Sequence, residues 1–430
     1  MSLLIVGAAK VIIKPVRWSM NRRVHSTTRM FIVGTVIVLC IMPLISCSDS
    51  STEPQTTLLD FQDSSACLPV PLPMPSGASI TVSTVAELIQ AVQQANATGQ
   101  VTIFLEDGTY TLQDMLWISG NNVTFRSHSG NRDAVILRGQ GMSGGVSHIF
   151  NVAGSDFTAA DMTLGWVANH GVQIHSDSDN PLIQNVRFVD TGEQMLKVSY
   201  RPGDSTSSDN GRVQWCLFEY SAGVGPQYYI GGVDAHQAHN WVVRSNIFRH
   251  IRSPGGGLAE HAIHFWSESS NTLVENNIIV NCDRGIGFGM GDRGHRGGMI
   301  RNNMVYTTRD VGIGLENASN TQVYNNTLYT ENYGNSIEYR FPGTRGVEII
   351  NNLSNASITN RDGGSGRIET NVTNAQNSWF VDVRSGDLHL RSPEPSVIDQ
   401  GQALGQISQD IDCEIRPQGA GYDIGADEKN

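Results

Sequence analysis

Aromatic residues make up only 7% of the 430-residue chain and charged residues only 16%. With 39% hydrophobic residues, so little charge is not the composition of a disordered chain, and this length can bury a substantial core. Beyond one stretch near the start there is no apolar run long enough for a bilayer, which excludes a polytopic membrane protein. Cysteine is sparse as well. Cys67, Cys216, Cys282 and Cys413 are spread along the chain without a CxxC pair, which argues against a zinc site and leaves one or two disulfides with their pairing open. Basic residues are the scarcest charged class. Six of the 29 sit in residues 1–46, which hold no acid, leaving 23 against 41 acidic residues in the remainder. So acidic a body is not a nucleic-acid binder, and any polyanionic partner must be held by local cations.

What is present begins with an address. Residues 31–46, FIVGTVIVLCIMPLIS, follow Arg22, Arg23 and Arg29 in the basic and apolar order of a secretory signal. The ending Leu44-Ile45-Ser46-Cys47 resembles a bacterial lipobox, which implies a lipid on Cys47 and residence in the cell envelope. Residues 1–47 are therefore expected to be the signal, 48–78 a Ser/Thr/Pro-rich tether, and 79–430 the folded domain, a monomer.

Within that domain a short unit recurs: WVVRSNIFRH, NTLVENNIIV, GGMIRNNMVY, NTQVYNNTLY and GVEIINNLSN. Marked by the lone Asn of the first and the second Asn of each Asn-Asn pair, the units fall at Asn246, Asn277, Asn303, Asn326 and Asn352, in steps of 31, 26, 23 and 26 residues. Between them lie second short strands, GVQIH, MLKVS, GVDAH, AIHFW, GIGFG, GIGLE and SIEYR. These alternate apolar with polar or small residues. No helical periodicity separates them. Asn tolerates left-handed backbone and can stack between rungs, so the pattern predicts a parallel β-helix, a solenoid of the all-β class. A β-sandwich would instead show hairpin turns.

The stretch TVAELIQAVQQANATG predicts an amphipathic helix with Val85, Leu88, Ile89, Val92 and Ala95 on its apolar face, capping the first rung. Helix, strand and then DGTY resemble the entry to the pectin-lyase-like right-handed parallel β-helices. The tail, with DLHLRSPEPSVIDQG and DIGADE, resembles their closing segment. That superfamily carries lyases, hydrolases, epimerases and adhesins, so the resemblance implies the fold more than the reaction.

Alternation along the second strands sends Gln173 and His175, Lys197 and Ser199, Asp234 and His236, and His264 and Trp266 outward, on rungs about 4.8 Å apart. Gly287, Gly289 and Gly314 then clear a floor beside an aromatic wall, the shape of a groove for a flat polymer. Insertions after Lys197 and before His264 add Arg201, Tyr228, Tyr229, Arg252, Glu260 and His261 as walls, and the next rung adds Asp283 and Arg284. Glu316, Glu338 and Arg340 lie farther along and are expected to pair among themselves.

These residue types suit β-elimination on a uronate polymer, which needs a cation for the carboxylate, a base for the C5 proton and an acid for the leaving oxygen. Lys197, depressed by neighbouring cations, is the expected base. His236, His264 and Arg284 are expected to hold the carboxylate, and Tyr229 or Tyr228 to donate the proton. Asp234, Glu260, His261, Trp266, Arg201 and His175 are expected to bind an acidic polysaccharide. A C5-epimerase shares the first step. GEQMLKVS is similar to the lysine-bearing strand of the alginate and chondroitin lyase group, which implies calcium. This chain has Glu193 and Gln194 where that group has its calcium ligands, and Asp234 and His236 where it has an arginine. No metal is assigned, Asp234 and Glu260 being the oxygen donors available for calcium. A glycoside hydrolase would use the same two carboxylates, and a glycan-binding protein would need neither.

Overall fold

The computed structural model of the chain describes residues 69–201, 203 and 205–429. The signal, Cys47 and the tether up to residue 68 lie outside the described residues. No described helix is long and apolar enough to cross a membrane.

Short strands stack in parallel into a solenoid. The alternating second strands form one ten-stranded sheet, running from Leu116–Ile118 at one end to Ser357–Arg361 at the other. The Asn-marked units lie in a twenty-stranded sheet, where the ten-residue strands Thr158–Val167 and Leu182–Thr191 each pair on both sides of a corner and join two ladders. Asp161 and Asn185 make those corners with φ of 58° and 51°. A five-stranded ladder from Ser208–Asp209 to Ala318–Ser319 completes the cross-section.

Each repeat turns at its marked pair, and the two residues divide the work. Ser245, Asn276, Asn302, Asn325 and Asn351 take φ between 51° and 59°, which short polar side chains tolerate. The following Asn246, Asn277, Asn303, Asn326 and Asn352 turn inward. Each donates its Nδ2 to the Oδ1 of the next, ending at Asn371, over 2.9–3.0 Å. Beside this ladder, Phe188, Phe218 and Phe248 stack at 4.6 and 4.5 Å. Inward residues of the ten-stranded sheet, such as Leu196, Val233, Ile263, Ile286 and Ile313, form the rest of one continuous core.

The expected helix forms over Val85–Thr98, with Thr84 and Glu87 exchanging capping hydrogen bonds. Leu88, Ala91, Val92 and Ala95 are buried against the first strands, whereas Ile89, expected on the apolar face, is exposed and Ala91 takes that place. The last part of the expected tether is docked: the carbonyls of Val70 and Pro73 accept from Gln184 and Arg126. The tail forms an antiparallel pair, Phe380–Asp382 with Asp387–Leu390. Its Leu388, Leu390, Val397 and Ile424 cover Val280, Met304 and Leu353 of the rungs. Cys413 is disulfide-bonded, while Cys216 and Cys282 are free and buried.

Candidate active site

The register of the ten-stranded sheet puts the expected outward residues in one column. Gln173 pairs with Lys197, Lys197 with Asp234, Asp234 with His264, and His264 with Gly287, while His236 pairs with Trp266 alongside. The column faces away from the core and yet is covered. Lys197 is 9% exposed, Asp234 2% and His264 1%.

Buried charge must be paired. The Lys197 amine donates to Asp234 Oδ2 and contacts His236 Nε2 at 3.0 Å. Asp234 Oδ1 accepts from the Trp266 indole at 2.7 Å. Burial alone would raise the Asp234 carboxyl, but Lys197, His264 and His236 outweigh it and hold it down at about 2. The same burial lowers His236 to about 3 despite Asp234, and lowers His264 and His261 as well. The expectation that His236 and His264 carry charge for a substrate carboxylate is therefore not met, since buried imidazoles are held neutral. The cationic surroundings expected for Lys197 are likewise absent, its polar neighbours being a carboxylate and an uncharged imidazole.

Two residues outside the expected set cover this cluster. Tyr200 stacks on His236 at 4.8 Å, and Arg293 lies 4.0 Å above the Trp266 ring while donating to the Tyr200 hydroxyl at 3.2 Å. Trp266 in turn stacks parallel on His264. Tyr200 stands just past the Lys197 strand, at the head of the insertion, where its position was a usable signal. Arg293 comes from a glycine-rich loop three rungs away from Lys197, and nothing local marks it. Lys197 offered a further clue in composition, for no other lysine lies between Lys14 and Lys429.

The glycine floor is not bare, as expected, but occupied. A Cβ on Gly287 would lie 2.7 Å from His261 Nδ1, and one on Gly314 3.4 Å from His261 Nε2, so these glycines admit the His261 ring. Glu260 points between His264 Nδ1, at 3.8 Å, and Arg284 Nη2, at 3.7 Å. Arg284 Nε is bound to the Ala259 carbonyl. Asp283 is fully buried and accepts from the backbone of Ser253 and Ala259, which makes it an anchor of the insertion rather than a groove wall.

Other expected residues stand apart. His175 bonds Asn151 at 2.7 Å, against the edge of Trp117, and Arg201 is exposed. Tyr228 and Tyr229 are exposed, and among the described residues no hydrogen bond joins either to the cluster. Glu316 pairs with Arg340 at 2.7 Å, as expected, while Glu338 pairs with Arg361.

Calcium wants several free oxygens. Both Asp234 oxygens are taken by Lys197 and Trp266, and the neighbours of Glu260 are imidazoles, so these residues do not fit calcium. A carboxylate held at about 2 is also unsuited to the general-acid half of a hydrolase pair.

No protein-family model matches the chain, and no curated protein matches it. Among solved structures it is similar to pectate lyase Pel9A, with 16% identity over 79% of this chain and 90% of that one and a TM-score of 0.56. It is also similar to a rhamnogalacturonan lyase, with 12% identity over 74% and 94% and a TM-score of 0.47. An alginate lyase from Paenibacillus sp. str. FPU-7 matches with 14% identity over 67% and 99% and a TM-score of 0.43. The fold is thus a parallel β-helix similar to that of pectate lyase Pel9A. At such identities the likeness extends to the fold and not to the reaction.

Proposed function

We propose that this chain is an exported, lipid-anchored enzyme of the cell envelope that cleaves a uronate-containing polysaccharide by β-elimination. The observation that carries the reading is a single lysine amine on the outward column of the solenoid, held by Asp234 and His236 beside an aromatic wall. In the proposed step the Lys197 amine takes the C5 proton. The C–H electron pair becomes the C4–C5 double bond as the C4–O bond breaks, and the leaving oxygen is protonated. His236, uncharged and 3.0 Å away, fixes the position of that amine together with Asp234. Arg293 and Arg284 supply positive charge for the carboxylate. Tyr200 is better placed than Tyr229 to protonate the leaving oxygen, because its hydroxyl accepts from Arg293 and keeps its own proton to give.

The test is ultraviolet absorbance of the full-length chain incubated with alginate, pectate and chondroitin. The expected result is a rising signal from the unsaturated product, reduced by about 100-fold or more in Lys197→Ala. New reducing ends without absorbance would replace elimination by hydrolysis. Glycan binding with neither signal would leave a non-catalytic protein.

A further inference from the structure

Three buried polar atoms beside the proposed active site make no hydrogen bond: Glu260 Oε2, His261 Nδ1 and His264 Nδ1. One donor atom from each of these residues lies within 4.8 Å of the others. Buried polar groups are ordinarily paired, so three orphans on three neighbouring residues require an explanation.

His264 sharpens it. Its Nε2 lies 3.2 Å from the Gly289 carbonyl, which can only accept, so that nitrogen carries the proton. In the neutral ring Nδ1 is then a bare lone pair. It faces Asp234 Oδ1 at 3.7 Å and Glu260 Oε2 at 3.8 Å, both of them acceptors. A lone pair opposed to two carboxylate oxygens, all desolvated, is repulsive unless a cation lies among them. Arg284 Nη2 reaches Glu260 Oε2 only at ion-pair distance, 3.7 Å, and gives it no hydrogen bond. An imidazole that gives one N–H to a backbone carbonyl and offers the other nitrogen is the usual arrangement of a metal-bound histidine. Gly287 belongs to the same design, since any side chain there would displace the His261 ring.

We infer that Glu260, His261 and His264 form a binding site for a first-row divalent metal ion of the zinc type, through two imidazole nitrogens and one carboxylate oxygen. Tetrahedral zinc sets its ligand atoms about 3.3 Å apart, so modest side-chain rotations suffice. Three protein ligands leave a position open, as at catalytic rather than structural sites. The lack of a CxxC pair excludes only thiolate sites. The donor set is also unlike an oxygen cage for calcium. The inference rests on these donors alone and stands whether or not the chain performs an elimination. A second group, His389 with Asp412 and Asp427, does not qualify, because both His389 nitrogens are already bonded to carboxylates.

The experiment is calorimetric titration of the chelator-treated full-length chain with Zn²⁺, together with the visible absorption of Co²⁺ in the same site, both without polysaccharide. One ion per chain is expected, with the intense cobalt bands of a four- or five-coordinate site. His261→Ala and the near-isosteric Glu260→Gln should each weaken binding by about tenfold or more while unfolding at temperatures close to wild type. Absence of binding would overturn the inference. So would binding that survives both substitutions, or that is lost instead in His389→Ala.

Discussion

Asn276 and Asn277 are the same residue type side by side, and the fold asks opposite things of them. Asn276 is needed for its backbone, at φ 56°, and Asn277 for its side chain, which accepts from the backbone and Nδ2 of Asn246 and donates to Val243 and Asn303. Asn277→Ala orphans buried donors on the preceding rung, at about 1–3 kcal/mol for each group left unpaired. Asn276→Gly keeps the left-handed turn and should cost less than about 1 kcal/mol. Urea unfolding of the two variants checks this, and equal losses would contradict the division of labour. Spacing alone made the ladder legible, because a repeat of identical polar residues has few uses other than stacking. The outward residues from Gln173 to Trp266 were legible for a similar reason, as a pleat has period two. His261 lies over the glycines rather than in a wall because alternation breaks at its strand: Ala262 and Ile263 both enter the core, and the ring swings across Gly287 and Gly314. Tyr200 and Arg293 were not legible as partners. They meet only because a loop after one rung reaches a loop three rungs on, a distance that sequence periodicity does not encode.

Among the elements, the strand Asp387–Leu390 holds the tail in place through an unusually polar clamp. His389 lies between Asp387 Oδ1, at 2.6 Å from Nδ1, and Asp412 Oδ2, at 2.8 Å from Nε2, while the Leu390 N–H donates to Asp427. The hydrogen bond to Asp412 is the main cause that raises His389 to about 9, against burial, with Asp387 and the charge of Asp427 adding to it. The same bond holds Asp412 below its ordinary range. A raised histidine contributes its full stabilisation below its ordinary value of 6.5, where folded and unfolded chains are both protonated. From there the contribution declines as pH rises, and above about 9 it is gone. The melting temperature of wild type should therefore exceed that of His389→Gln most on the acid side of neutrality, with the gap closing as pH rises through this window. A gap independent of pH would show that His389 acts by packing alone. The closing segment was recognisable from DLHLRSPEPS, but the clamp was not, since Asp412 and Asp427 come from a stretch without periodicity.

At the scale of the whole molecule, each rung touches chiefly its neighbours, so stability passes along the solenoid rather than through a central core. The tail breaks that rule, with Leu404 and Ile407 packed on Leu273, Met299, Tyr324 and Ile350 and a second seam beside them. Leu388 and Leu390 are 1% exposed and cover Val280, Met304, Tyr306 and Leu353, apolar residues that face away from the inside of the solenoid. The Gly425 N–H donates to the Asn351 carbonyl and the Ala426 N–H to Thr327 Oγ1, which ties this segment to the Asn326 and Asn352 rungs, toward the end of the Asn ladder. The rungs carrying Lys197, Asp234 and His264 lie ahead of this seam. Leu390→Asp buries an unpaired charge in the seam, an effect of about 3 kcal/mol or more on whatever unit contains it. If the solenoid is quasi-one-dimensional, hydrogen exchange in that variant should quicken in the tail and in the strands from Met299 onward. The strands from Thr158 to Trp266 should keep their protection, and with them the geometry around Lys197. Uniform acceleration along the chain would mean instead that the tail and the active-site rungs unfold as one unit. In that case a lesion in the tail would cost activity as well as stability.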